Sequence, residues 1–135
     1  MYDYPVDLTE EDGTVLASVR DVPGCHTFGD DRADALFHAA DALDAAILGC
    51  MFVKIDIPTP SPARGRPTVR LALQSALKAG LYQAMRDDGV RKVDLMRRLG
   101  WKGPQVDRLL CLNHASRLSQ IEAAVAAFGV RFDVQ

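Results

Sequence analysis

Several residue types are scarce. Tryptophan occurs once in 135 residues, aromatic residues make up 7%, and histidine and cysteine occur three times each. Cys25, Cys50 and Cys111 are odd in number and far apart, which excludes a paired disulfide framework and suits a reducing compartment. No run approaches the ~20 apolar residues that span a bilayer, so no membrane partner is expected. Met1-Tyr2-Asp3-Tyr4-Pro5 lacks the basic leader and apolar core of a secretory signal, and the expected location is the cytoplasm. What is present is ordinary for a globular chain: 48% hydrophobic and 25% charged residues, which excludes a disordered chain, a collagen-like fibre or a coiled-coil rod.

The net charge of −2 hides an asymmetry. Residues 1–63 carry 3 basic and 12 acidic side chains, and residues 64–135 carry 13 and 6. Such a division points to nucleic acid for the basic half and a different, basic partner for the acidic half; the alternative is an internal match between halves. The cut falls in the proline-rich stretch from Pro58 to Pro67, which reads as a linker or a long loop. Two domains are therefore expected, 1–63 and 64–135.

The first half predicts an α+β domain with a small antiparallel sheet and one main helix. Tyr4, Val6 and Leu8 alternate with polar residues or proline, as do Val15, Ala17 and Val19 after the turn residues Glu10-Glu11-Asp12-Gly13. His26 to Gly29 can add a short strand. Asp31 is a fitting N-cap for a helix whose apolar face is Leu36, Ala40, Leu43 and Ile47 and whose end is marked by Gly49. Val53, Ile55 and Ile57 alternate as a further strand. Asp34, His38 and Asp41 share one helical face, but with a single imidazole they read as a solvated face; no metal or cofactor is expected. Cys25-His26 could pair a nucleophile with a base, yet adjacent strand residues point apart.

The second half predicts an all-α domain. Thr68 to Leu73 is a possible strand. Leu77, Leu81 and Met85 mark a helix from Ser75 to Asp88, closed by Gly89. Val93, Met96 and Leu99 mark a short helix ended by Gly100, and Val106, Leu109 and Leu110 mark another that begins near Gly103-Pro104. Two short helices joined by a glycine-containing turn are a helix-turn-helix signature, and Met96, Gly100, Val106 and Leu109 fit its spacing. Basic residues crowd the expected binding side. Gln105 and Arg108 are assigned to base edges, and Lys92, Lys102 and Arg117 to phosphates. Leu118 to Phe128 forms one more helix, followed by a short terminal strand through Val130, Phe132 and Val134. An apolar strand so placed needs cover, and a homodimer or higher even oligomer is expected.

The segment Val22-Pro23-Gly24-Cys25-His26-Thr27-Phe28-Gly29-Asp30, the alanine-rich helix after it and Ile57-Pro58-Thr59-Pro60 resemble the HicB antitoxin family. Leu77 to Val134 is similar to the helix-turn-helix half many members carry. The resemblance implies a partly degraded ribonuclease H-like first domain that binds a small basic, mRNA-cleaving HicA-type toxin, and a second domain that represses the protein's own operon by binding DNA. It implies a prokaryotic protein, nucleoid-associated when DNA-bound, that is not an enzyme, and a neighbouring short gene for a basic protein of well under ~100 residues. Asp7, His26 and Asp30 are offered as toxin contacts from exposure and charge. Two other readings compete. One is a transcription regulator whose first domain senses a small molecule or a protein. The other is a metal-dependent nuclease drawing on Asp3, Asp7, Asp41 and Asp44.

Overall fold

The computed structural model describes residues 2–128, which fall into two compact units, one ending at Leu71 and the other starting at Ala72. In the first, β2 (Asp7–Glu11), β3 (Thr14–Ser18) and β4 (His26–Gly29) form an antiparallel sheet in the order β2-β3-β4. Asp12 and Gly13 both take positive φ, 51° and 78°, as a two-residue hairpin between right-twisted strands requires. The loop into β4 is closed by Val19 N–H donating to Cys25 O at 2.9 Å.

Helix α1 (Arg32–Phe52) covers one side of this sheet. Its cap is the expected one: Asp31 Oδ1 accepts from Asp34 N–H at 2.7 Å, and Asp34 accepts from Asp30 N–H at 2.9 Å. The buried stripe is Ala35, Ala39, Leu43, Ile47 and Met51. The expected Leu36 and Ala40 lie beside that row, half-buried, because the small residues one position earlier let helix and strand approach closely.

Helix α1 also runs past Gly49. Lys54 takes the left-handed position, φ 62°, and Ile55 N–H reaches back to Cys50 O at 3.1 Å, the six-residue closure usual at a helix end. The strand expected through Val53, Ile55 and Ile57 does not form, and Val53 and Ile55 are exposed. By length and composition α1 is apolar enough to cross a membrane, contrary to the expectation that no run approached this. Its buried stripe lies in the core of the unit, and its other faces carry Asp34, Asp41 and Asp44.

Instead of that strand, β1 (Asp3–Pro5) pairs antiparallel with β5 (Thr68–Arg70), Tyr4 opposite Val69. This pairing moves the boundary from the expected Ala63/Arg64 to Leu71/Ala72. The proline-rich stretch is a long loop fastened to its own unit rather than a free linker. Tyr4 Oη donates to Pro58 O at 2.6 Å, the Ser61 amide and hydroxyl donate to Asp21 at 2.8–3.0 Å, and Val6 N–H donates to Pro67 O at 2.8 Å. Residues 1–71 then hold 6 basic and 12 acidic side chains, and residues 72–135 hold 10 and 6, so the division of charge persists.

Asp44 sits awkwardly in α1. Its Oδ1 is buried without a hydrogen-bond partner among the described residues, and burial, then the Asp41 charge, pushes its carboxyl above the usual range. A carboxyl raised in the folded state favours folding when protonated and loses that contribution as pH rises through its folded pKa. Asp44→Asn is therefore expected to raise Tm at pH 7. The gain should shrink as pH falls through the raised pKa, where the wild-type group is itself neutral; thermal melts from pH 4 to 7 check this.

The second unit holds α2 (Leu73–Asp87), α3 (Lys92–Leu99), α4 (Gly103–Leu109) and α5 (Leu118–Phe128). The strand expected over 68–73 stops at Arg70, because Leu73 already opens α2 and is exposed. Gly89 (φ 67°) and Gly100 (φ 68°) end α2 and α3 as expected. Leu81, Met85, Leu95, Val106, Leu109, Ile121 and Ala124 form the core. The expected terminal strand at 130–134 lies outside the described residues.

Candidate functional site

The two units present different surfaces. In the first, the side of the sheet turned away from α1 carries two rows set by strand register. Asp7, Ser18 and His26 form one, and Thr9, Leu16 and Phe28 the next. Together they line a concavity of about 560 Å³. His26 is exposed here, but Asp7 is not a free anion: Arg20 Nη2 lies 2.9 Å from its Oδ2 and Arg66 Nη1 3.3 Å from its Oδ1. Arg66 also donates to Ala63 O and Pro62 O, so Asp7 helps hold the long loop. Asp30 directly follows β4 and borders a second hollow with Glu10, Asp31 and Arg32. The structure thus brings Asp7 and His26 onto one face and sets Asp30 at another border.

Sequence reasoning passed over Leu16 and Phe28, 38% and 65% exposed and directly opposite each other. The signal was available in part: Leu16 is out of phase with the inward set Val15, Ala17 and Val19.

In the second unit, α3 and α4 are joined by the turn 100–102. Arg91 stands at the N-cap of α3, where serine or threonine is the better residue, and Asp94 accepts from its N–H at 2.9 Å; this bond and the Arg91 guanidinium hold the Asp94 carboxyl below its usual range. Lys92, expected on a phosphate, pairs with Asp107 at 2.6 Å and ties the start of α3 to α4. Gln105 lies exposed in the first turn of α4, but its Oε1 accepts from Lys102 N–H at 2.9 Å. That bond takes one of the two lone pairs of Oε1; the other lone pair and the amide hydrogens remain for a ligand. Lys102, Arg108 and Arg117 are exposed.

Lys78 of α2 is the residue that sequence reasoning missed here. It is 1% exposed, and its Nζ donates to Arg108 O at 3.1 Å, Cys111 O at 2.9 Å and His114 O. Burial pulls its pKa down, while three carbonyls and the negative end of α4 favour its charge. One turn earlier, the Gln74 amide exchanges two 2.9 Å bonds with the Ser116 backbone. Together these side chains fix the connector between α4 and α5. The available signal was a lysine beside Leu77 on an otherwise apolar face.

The features considered for catalysis come apart. Cys25 is buried, and burial pushes its thiol up, away from a reactive thiolate, while His26 is exposed on the outward face. Asp3 pairs with Arg70 at 3.0 Å, and Asp7 is held by two arginines. His38 Nε2 lies 3.1 Å from Asp34 on the exposed side of α1. Among the described residues, no three His, Cys, Asp or Glu side chains gather where they could hold a metal ion.

An acidic α+β unit and a basic helical one each present an open surface. Residues 3–80 match the family model of a HicB-like antitoxin of a bacterial toxin-antitoxin system. The chain is 35% identical over 133 residues to Antitoxin HicB of Pseudomonas fluorescens (strain Pf0-1), covering 97% of this chain and 91% of the relative. It is 32% identical to Antitoxin HicB 1 of Photorhabdus laumondii (93% and 81% covered), and 31% identical to Antitoxin HicB of Escherichia coli (strain K12; 93% of each). The chain belongs to the HicB antitoxin family. Membership implies a toxin as partner and a role that is not enzymatic.

Proposed function

We propose that this antitoxin neutralises a small basic, mRNA-cleaving HicA-type toxin through its first unit and represses its own operon through its second, as a homodimer or higher even oligomer. The observation that carries this reading is the division of charge: the toxin-facing role falls to the unit with twice as many acids as bases, the DNA-facing role to the basic one. Its place is the cytoplasm, and the nucleoid when on DNA. The first unit is read as a truncated ribonuclease H-like fold.

On this reading α3, the turn and α4 act as a helix-turn-helix with α4 in the major groove. Arg108 and Gln105 read base edges. Lys102 and Arg117 meet phosphates. Lys92, neutralised in part by Asp107, contributes less. Titration of full-length protein onto DNA from upstream of its gene, at 50 to 200 mM salt, tests this. Lys102→Ala and Arg117→Ala should each flatten the salt slope by about one phosphate contact, Lys92→Ala by less. Arg108→Ala should cost roughly 1–3 kcal/mol on the specific site and little on random DNA. A salt-independent affinity would contradict the assignment.

A further inference from the structure

The outward face of an antiparallel sheet in a two-layer unit is normally polar, since water covers it. Here its centre is the register pair Leu16 and Phe28, with Thr9 completing the row and a concavity open above it. Phe28 alone leaves two-thirds of its surface in water, at 65% exposed. Glu11 continues the same face of β2, and Asp12 follows at the hairpin tip. Glu10, paired with the inward Val15, and Asp30 border a different hollow at the start of α1. Among the described residues Glu10, Glu11, Asp12 and the Asp30 side chain hold no ion pair, in contrast to Asp7 at the other end of the face.

We propose that this face of β2, β3 and β4 is the toxin's seat: the toxin sets an apolar side chain on Leu16 and Phe28 while its basic groups meet Glu11 and Asp12. The inference rests on the antitoxin reading above and adds a location and a chemistry to it. An apolar centre with a charged border is the usual anatomy of a specific interface, where a few central anchors carry most of the affinity and the border sets the encounter rate. Charge chooses the occupant. A second copy packed through the same face would set Glu11 and Asp12 against their own equivalents, like charge against like, whereas a basic protein gains at both.

The test uses the full-length chain and the purified basic toxin encoded beside it, inactivated for handling, with affinity read by calorimetry and rates by surface-based kinetics. Phe28→Ser should weaken binding roughly thirtyfold or more. Thr9→Arg, which places a cation against a cationic partner, should do the same without removing any packed group. Glu11→Lys with Asp12→Lys should slow association roughly tenfold at low salt. Phe37→Ser, at an exposed phenylalanine on α1, should change nothing. Melting temperatures matching wild type establish that the variants fold. Should wild type bind while Phe28→Ser and Thr9→Arg bind within twofold of it, the seat lies elsewhere and the antitoxin reading stands. Should wild type itself fail to bind, the antitoxin reading fails. Should Phe28→Ser instead dissolve a dimer and leave toxin affinity intact, the face belongs to a second copy and the proposal is overturned.

Discussion

Lys78→Met is expected to destabilise the helical unit by about 3 kcal/mol or more. Methionine fits the channel of the lysine stem but carries no proton. The carbonyls of Arg108, Cys111 and His114 would all lose their shared donor, two of them at 3.1 and 2.9 Å. Each carbonyl left without a partner costs about 1–3 kcal/mol, offset where water can enter. A domain has only about 5–15 kcal/mol in total. Trp101, the single tryptophan, packs against the core of this unit, so urea unfolding followed by its fluorescence reads the unit selectively. The midpoint should fall sharply and, on the proposed function, DNA affinity with it. Lys78→Arg should not restore either, because a site only 1% exposed has no room for the wider guanidinium. An unmoved Trp101 transition would show that the three bonds contribute nothing net.

Gly29→Ala is the counterpart in the first unit. A Cβ there would lie 2.3 Å from Ala35 N and 2.7 Å from Ala35 Cα and Asp34 C. All three are backbone atoms, and they belong to the capped first turn of α1, which cannot yield without losing the Asp31 bond. β4 must move away from the helix, at a cost of about 2–3 kcal/mol. Circular dichroism melts should show the loss, and toxin affinity should fall while the Trp101 transition stays in place. Gly49→Ala makes the control. It lies inside α1, where a Cβ meets nothing within 4 Å, and it should stabilise by up to about 1 kcal/mol. Opposite expectations for two glycines in one unit separate packing from propensity.

Much of this fold was legible because its signals are local. Asp12-Gly13 marked the hairpin, the spacing of Leu77, Leu81 and Met85 marked α2, and Gly89 and Gly100 marked helix ends. What was not legible depends on distant partners. Asp7 looked like a free acid because its arginines are 13 and 59 positions away. The boundary was set too early because β5 belongs to β1, more than sixty residues upstream. Lys78 looked like one more base because its acceptors lie 30 to 36 residues on. Lys54 stands in a left-handed position that sequence reasoning reserves for glycine, so α1 was ended at Gly49. Of the candidate surfaces, the exposed Gln105 and Arg108 of α4 follow from helical spacing. The Leu16–Phe28 pair needed the register of two strands.

The most direct test of the central claim is toxin activity itself. The small basic toxin that the proposed function expects from a neighbouring gene is held at fixed concentration with a reporter mRNA, and the full-length chain is titrated in. Cleavage should fall in proportion to added chain and stop at a fixed stoichiometric ratio. Undiminished cleavage at tenfold excess would contradict neutralisation by this protein.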